Sequence, residues 1–174
     1  MYIETERLIV RSLERGDEKA YAKMAEDGSL EEVGFDSNCA EWMDDWISEA
    51  MELTANDNPR EDYIPCTVLD KTTKEIVGNV GCTYYEDTER IGICYFVGAD
   101  YRRKGYASEA VKAYTDYFFN HYNEKEIIAT IKDENEESYK MAEKTGFKLI
   151  ETKMYKDIDD EEEELYRFYS KTRD

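Results

Sequence analysis

The chain has 174 residues, 42 acidic and 23 basic, for a formal net charge of −19. So acidic a balance argues against a nucleic-acid binder, since phosphate contacts need a basic surface. The length suits one domain, residues 1–174, with a real core, and 41% apolar residues with only two Pro exclude a disordered chain despite 37% charge.

Met1-Tyr2-Ile3-Glu4 has neither the basic nor the apolar region of a secretion signal, and no apolar run is long enough to span a membrane. A cytoplasmic protein without a membrane partner is expected. Residues 7–12 alternate as a first strand, with Leu8 and Val10 on one face. Asp17 opens a short helix in which Ala20, Tyr21, Met24 and Ala25 recur at helical spacing. Residues 28–38 read as loop. From 39 to 51, Cys39, Trp42, Met43, Trp46, Ile47, Ala50 and Met51 mark an amphipathic helix, stopped by Asn56-Asp57-Asn58-Pro59.

Three strands with short polar links follow, at 63–69, 76–85 and 90–97, as an antiparallel meander. Gly78, Gly81 and Gly92 lie inside them, where a glycine signals a bulge or a close approach. The third strand runs through Gly98-Ala99-Asp100 into the basic loop Tyr101-Arg102-Arg103-Lys104-Gly105 and a helix from Tyr106. The first N–H groups of a helix lack internal partners and carry partial positive charge, so this order suits a phosphate; a solvated basic turn is the plainer alternative.

Residues 126–131 form a further strand. Asn135 caps a helix that ends at Gly146, and 148–155 and 165–170 are the last two strands. The acidic run 157–164 between them reads as a solvated hairpin loop. The sum is a mixed α/β (α+β) fold: a twisted, mostly antiparallel sheet of about seven strands with helices on both faces. Cys39, Cys66, Cys82 and Cys94 lack CxxC spacing and are expected as buried free thiols. His121 is the only histidine, so no metal site is expected.

Arg102-x-x-Gly105-x-Ala107 resembles the acetyl-CoA pyrophosphate loop of the GNAT N-acetyltransferases. Asn135-x-x-Ser138 and Glu143-Lys144-Thr145-Gly146-Phe147 resemble that family's second signature. Thr5-Glu6-Arg7-Leu8-Ile9-Val10-Arg11 is similar to the opening of the ribosomal-protein alanine/serine N-acetyltransferase branch. The resemblance implies that backbone groups of Phe96 and Val97 grip the pantetheine arm of acetyl-CoA. It places the pyrophosphate on Arg102, Arg103, Lys104, Gly105, Tyr106 and Ala107. Asn135 either bonds the arm or only caps its helix.

The resemblance breaks at Ala142, where many relatives carry a tyrosine as general acid. Tyr139 should point about 60° away around the helix. In the ribosomal-protein branch the serine matching Ser138 has the acid role, and an acidic residue near Asp157 serves as base. Glu86, Glu109 or bulk water are the other candidate bases. The acceptor would be a primary amine, a protein N-terminus or a small polycation, bound near 27–58 and Asp157. Trp42 and Trp46 could line that site, serve the core, or with the last strand form a homodimer interface. A non-catalytic acetyl-CoA sensor is the alternative function.

Overall fold

The computed structural model describes residues 1–158 and 160–173. In chain order these form β1 (Tyr2–Glu4), β2 (Leu8–Ser12), α1 (Glu18–Ala25), α2 (Met43–Asn56), β3 (Tyr63–Asp70), β4 (Ile76–Tyr85) and β5 (Arg90–Val97). There follow α3 (Tyr106–His121), β6 (Glu126–Lys132), α4 (Glu136–Lys144), β7 (Lys148–Tyr155) and β8 (Glu164–Thr172). The strands make one sheet in the order β1-β2-β3-β4-β5-β6-β8-β7. All neighbours are antiparallel except β5 and β6.

The mixed, mostly antiparallel sheet agrees with the expectation, with eight strands among the described residues rather than about seven. The added strand is β1, whose three residues are too few for alternation to register and which is defined by pairing Ile3 with Val10. The predicted helix over 39–51 is also displaced. Cys39–Glu41 is a 3-10 turn, and α2 starts at Met43 and runs to Asn56, where Asp57 turns left-handed at φ 51°.

Strand alternation sends side chains to two cores. Leu8, Val10, Cys66, Val80 and Ile93 meet Val111, Tyr114 and Phe118 of α3 on one face. On the other, Leu13, Tyr21 and Leu30 pack with Met43 and Ile47 of α2. The cysteines are free, and Cys39, Cys66 and Cys82 are buried. At Gly78 a Cβ would lie 2.1 Å from the Phe96 carbonyl oxygen, so β4 and β5 approach closely only because no side chain stands there.

A buried polar chain ties α1 to the sheet. Asn79 Nδ2 donates to Tyr21 Oη (3.3 Å), Tyr21 to Thr67 Oγ1 (2.9 Å), and Thr67 to Asp17 Oδ2 (2.7 Å). Arg11 closes it with a bidentate pair to Asp17 at 2.8 Å, the two side chains only 15% and 6% exposed. Burial pushes the Asp17 carboxyl upward, but donors from Arg11, Thr67 and the Glu14 amide outweigh it and hold the group below its ordinary range. A depressed carboxylate stabilises the fold above its unfolded pKa, and that contribution disappears as pH falls through the folded value. Asp17→Asn should therefore lower stability at neutral pH by about 3 kcal/mol, because Arg11 loses its counter-charge. Thermal melts should show a fall of roughly 6–12 °C at pH 7, with a smaller gap between the two proteins in acid. An unchanged melting temperature at pH 7 would refute this account.

Candidate active site

β5 and β6 share a single ladder pair, Gly92 opposite Ile128. Beyond it they part, leaving the far end of β5 with one bare edge. The Gly98 N–H donates to the Val77 carbonyl (2.9 Å), and the register sets Phe96 opposite Asn79 and Val97 opposite Gly78. By alternation, the backbone groups of Tyr95 and Val97 face the gap while those of Phe96 turn to β4. So Tyr95 and Val97, rather than Phe96, turn their backbone groups to the gap. Phe96 contributes its ring instead, edge-on to Phe35 at 5.4 Å and to Tyr21 at 5.8 Å.

The basic loop joins β5 to α3. Gly105 has φ +79° and precedes the first turn of α3, and no side chain caps it. The first helical bond runs from the Glu109 N–H to the Gly105 carbonyl (3.2 Å), so the N–H groups of Tyr106, Ala107 and Ser108 precede the helical ladder. Arg102 is not a free cation: its Nε donates to the Val97 carbonyl (3.2 Å) and its Nη2 to the Ser29 carbonyl (2.9 Å). Arg103 is exposed at φ +60°, and the Lys104 ammonium lies 5.3 Å from the Tyr101 ring centroid. Tyr106 Oη donates to Asp70 Oδ2 at 2.6 Å.

The opening Thr5-Glu6-Arg7 acts on this loop. Arg7 Nη1 donates to the Lys104 carbonyl (2.7 Å) and Nε to Glu109 Oε2 (2.7 Å). Glu109 Oε1 accepts from the Arg7 N–H (2.9 Å) and Thr5 Oγ1 (2.6 Å). Burial raises Glu109, yet these donors hold it below the ordinary carboxylate range, so this candidate base is consumed in a clamp. Arg7→Ala should lower the melting temperature little, the pair being partly exposed and worth about 1 kcal/mol or less. It should speed hydrogen exchange at the amides of residues 105–107, read by mass spectrometry. Unchanged exchange there would show that the clamp does not order the loop.

Two cavities occupy the gap. One of about 830 Å³ lies over Val97, the basic loop and the start of α3; another of about 580 Å³ lies under α2 and reaches β6. They share Tyr95, Phe96, Asn135 and Ser138 in their linings, so they are two halves of one cleft. Asn135 caps α4 by accepting from the Ser138 N–H at 3.1 Å. Ser138 Oγ lies 2.6 Å from Tyr95 Oη, and burial pushes the Tyr95 phenol up to about 12, the Ser138 bond opposing. Ala142 is buried, while Tyr139 lies under the Arg167 guanidinium, 4.1 Å from its ring centroid.

Asp157 lines the second half. Its Oδ2 accepts from Thr130 Oγ1 (2.7 Å) and its Oδ1 from the Ile158 N–H (2.7 Å). Burial raises its pKa, those bonds oppose the rise, and Asp160 adds to it, with the rise prevailing. Asp160 accepts from Tyr166 Oη (2.6 Å), Lys132 Nζ (3.0 Å) and the Asp157 N–H (3.0 Å). The run expected as a solvated loop thus folds two carboxylates inward, because β6 and β8 supply donors there; Asp159 lies outside the described residues. Glu86 is exposed and does not line the cleft. Trp46 stacks on Tyr63 (6.0 Å, 4°) and packs against the core, while Trp42, stacked on Phe35 (5.8 Å, 24°), is exposed; both line the cavity wall. Sequence reasoning missed Tyr95, although alternation already put its side chain opposite to those of Cys94 and Phe96. Among the described residues no cluster of His, Cys, Asp and Glu fits a metal ion, and no helix is long and apolar enough to cross a membrane.

Comparison with known proteins places this architecture. Residues 7–148 match the family model for the acetyltransferase (GNAT) domain. The uncharacterized N-acetyltransferase YnaD of Bacillus subtilis is 28% identical over 150 residues, covering 85% of this chain and 83% of that protein. A ribosomal-protein-S5-alanine acetyltransferase from Vibrio fischeri superposes with a TM-score of 0.80 at 22% identity, over 100% of this chain and 97% of that one. An acetyltransferase from Salmonella typhimurium, described as modifying the N-terminal serine of ribosomal protein L7/L12, gives 0.80 at 12% identity over 100% of both chains. These two likenesses speak for the fold, and the family match spans most of the chain: the protein belongs to the GNAT acetyltransferase family and is an acetyl-CoA-dependent acyltransferase.

Proposed function

We propose that residues 1–174 act as one catalytic domain that acetylates a primary amine by direct attack in a ternary complex. The observation that carries this is the Tyr95–Ser138 hydroxyl pair at the junction of the two half-clefts, with Asp157 in the acceptor half. Bound acetyl-CoA supplies a thioester carbonyl as the electrophile. The backbone groups of Tyr95 and the Val97 N–H suit an extended arm, the Val97 carbonyl being held by Arg102, and the first-turn amides of α3, with Arg103 and Lys104 beside them, suit a pyrophosphate. Asn135 can add its amide from α4. Arg102 orders this loop from behind.

In the acceptor half, Asp157 is buried enough to take a proton from an incoming ammonium and release a neutral amine. Ser138 stands where a departing thiolate needs a donor. Tyr95 is protonated at neutral pH and can donate to Ser138 Oγ while the serine proton points to the sulfur. Two linked hydroxyls thus offer what the tyrosine missing at 142 offers in many relatives. They also weigh against the binding-only alternative.

The acceptor class follows from charge. Glu32, Asp62, Asp157 and Asp160 line the acceptor half against one cation, Lys132, already bonded to Asp160 and Glu164. A protein N-terminus or a small polycation suits that balance. The two solved relatives are described as acting on ribosomal proteins, which favours the N-terminus. Buried free thiols support a cytoplasmic site of action.

Acetyl-CoA at about a hundred times its dissociation constant should stabilise the protein by roughly 2.7 kcal/mol, a rise of roughly 5–10 °C, and Gly105→Glu should abolish the rise. With a peptide bearing a free N-terminus, and separately spermidine, mass spectrometry should find a gain of about 42 Da (an acetyl group, C2H3O, in place of one amine hydrogen). Ser138→Ala should lower kcat by roughly 10²–10³ and leave the thermal shift intact. A thermal shift with no acetylated product in either assay would return the protein to a binding role.

A further inference from the structure

The apex of the cleft carries a feature that neither the family match nor the proposed chemistry explains. Tyr85, the last residue of β4, lays its ring across β5 at Gly92. A Cβ on Gly92 would lie 2.3 Å from Tyr85 Cε2, so the ring occupies the space a side chain there would fill. Gly92 is also the residue at which β5 last pairs with β6. The ring therefore sits at the point from which the strands diverge, and its hydroxyl reaches β6, 2.9 Å from Thr130 Oγ1.

Thr130 has one proton, and it is directed to Asp157 Oδ2 at 2.7 Å. Its oxygen is then the acceptor in the bond with Tyr85, which fixes the direction Tyr85 Oη to Thr130 Oγ1 to Asp157 Oδ2. The Tyr85 hydroxyl itself lies 3.5 Å from Asp157 Oδ2, a distance too long to replace the threonine. Together with the Ile158 N–H on Oδ1, the chain fixes both oxygens of the carboxylate, while Asp157 still lines the cavity.

We infer that Tyr85, seated on Gly92, and Thr130 are positioning residues that orient the Asp157 carboxylate to serve as a base. The inference rests on Asp157 being that base. The need is physical: burial and Asp160 of the same loop both disfavour a charged Asp157. Lys132 offers little relief, being bonded to Asp160 and Glu164. The bonds that favour the ionised form come from Thr130, the Ile158 amide and Tyr85. A carboxyl lacking the first of these would hold its proton to higher pH and would be freer to rotate.

The test uses the whole protein without ligand. Carbon-13 carboxyl NMR follows the titration of Asp157, its signal assigned by its loss in Asp157→Asn. Thr130→Val, nearly isosteric, should move the midpoint upward, Tyr85→Phe should move it upward by less, and Thr130→Ser should restore it. Gly92→Ala, which displaces the ring, should act at least as strongly as Tyr85→Phe. An Asp157 midpoint unmoved in folded Thr130→Val overturns the inference, and so does one that Thr130→Ser fails to restore. Kinetics test the underlying role separately. If Thr130→Val shifts the titration but Asp157→Asn acetylates the free-N-terminus peptide at the wild-type rate, the chain stands and Asp157 is not the base.

Discussion

The one parallel contact in the sheet governs the rest of the molecule. Parallel strands joined by a helix can stay paired for their full length, yet here β5 and β6 meet at Gly92 and Ile128 and then separate. A separated strand end exposes N–H and C=O groups that a folded protein normally satisfies. In this chain those groups line a cleft, and α3 begins immediately beyond it with its own unpaired amides. Two sets of backbone donors without internal partners therefore face one space. The cleft is defined by main chain more than by side chains, which fits a family with low sequence identity and a shared cofactor.

Side chains then divide the cleft by charge. The half at α3 has a helix terminus and the exposed Arg103, while Arg102 spends its guanidinium on two carbonyls. The half at β6 holds the carboxylates of Asp157 and Asp160 in a partly buried setting. A neutral pair, Tyr95 and Ser138, stands between them. A cation bonded to Asp157 would lower its pKa. Lys132, which also lines the cleft, is tied to Asp160 and Glu164.

What the sequence disclosed and what it hid divide along the range of the interactions. Strand, basic loop and helix around Gly105 were legible because each signal is local: alternation, a glycine, a 3.6-residue period. The short β1 was not, since three residues carry no period and only pairing with β2 defines them. The Tyr95–Ser138 pair joins residues 43 apart, and no local pattern announces it. The acidic run misled for a related reason. A string of carboxylates looks solvated until Thr130, Lys132 and Tyr166, from two other strands, supply the donors that turn Asp157 and Asp160 inward. The clamp of Thr5 and Arg7 on Glu109 spans more than a hundred residues, so the opening motif was visible as a resemblance but not as a mechanism.

The strand order has a bearing on how the molecule is assembled. β7 precedes β8 in the chain, yet β8 lies between β6 and β7 in the sheet. Until residues 164–172 emerge during synthesis, β7 has no strand to pair with and β6 has a vacant edge. Tyr166, which donates to Asp160, belongs to that same late segment. The nascent chain can build the α3 half of the cleft early, because β2 to β5 and α3 are nearly consecutive. The acceptor half waits for the last strand to insert. Translation therefore separates the two halves in time, and a chain stopped before β8 would lack the strand that completes the β6 half of the cleft.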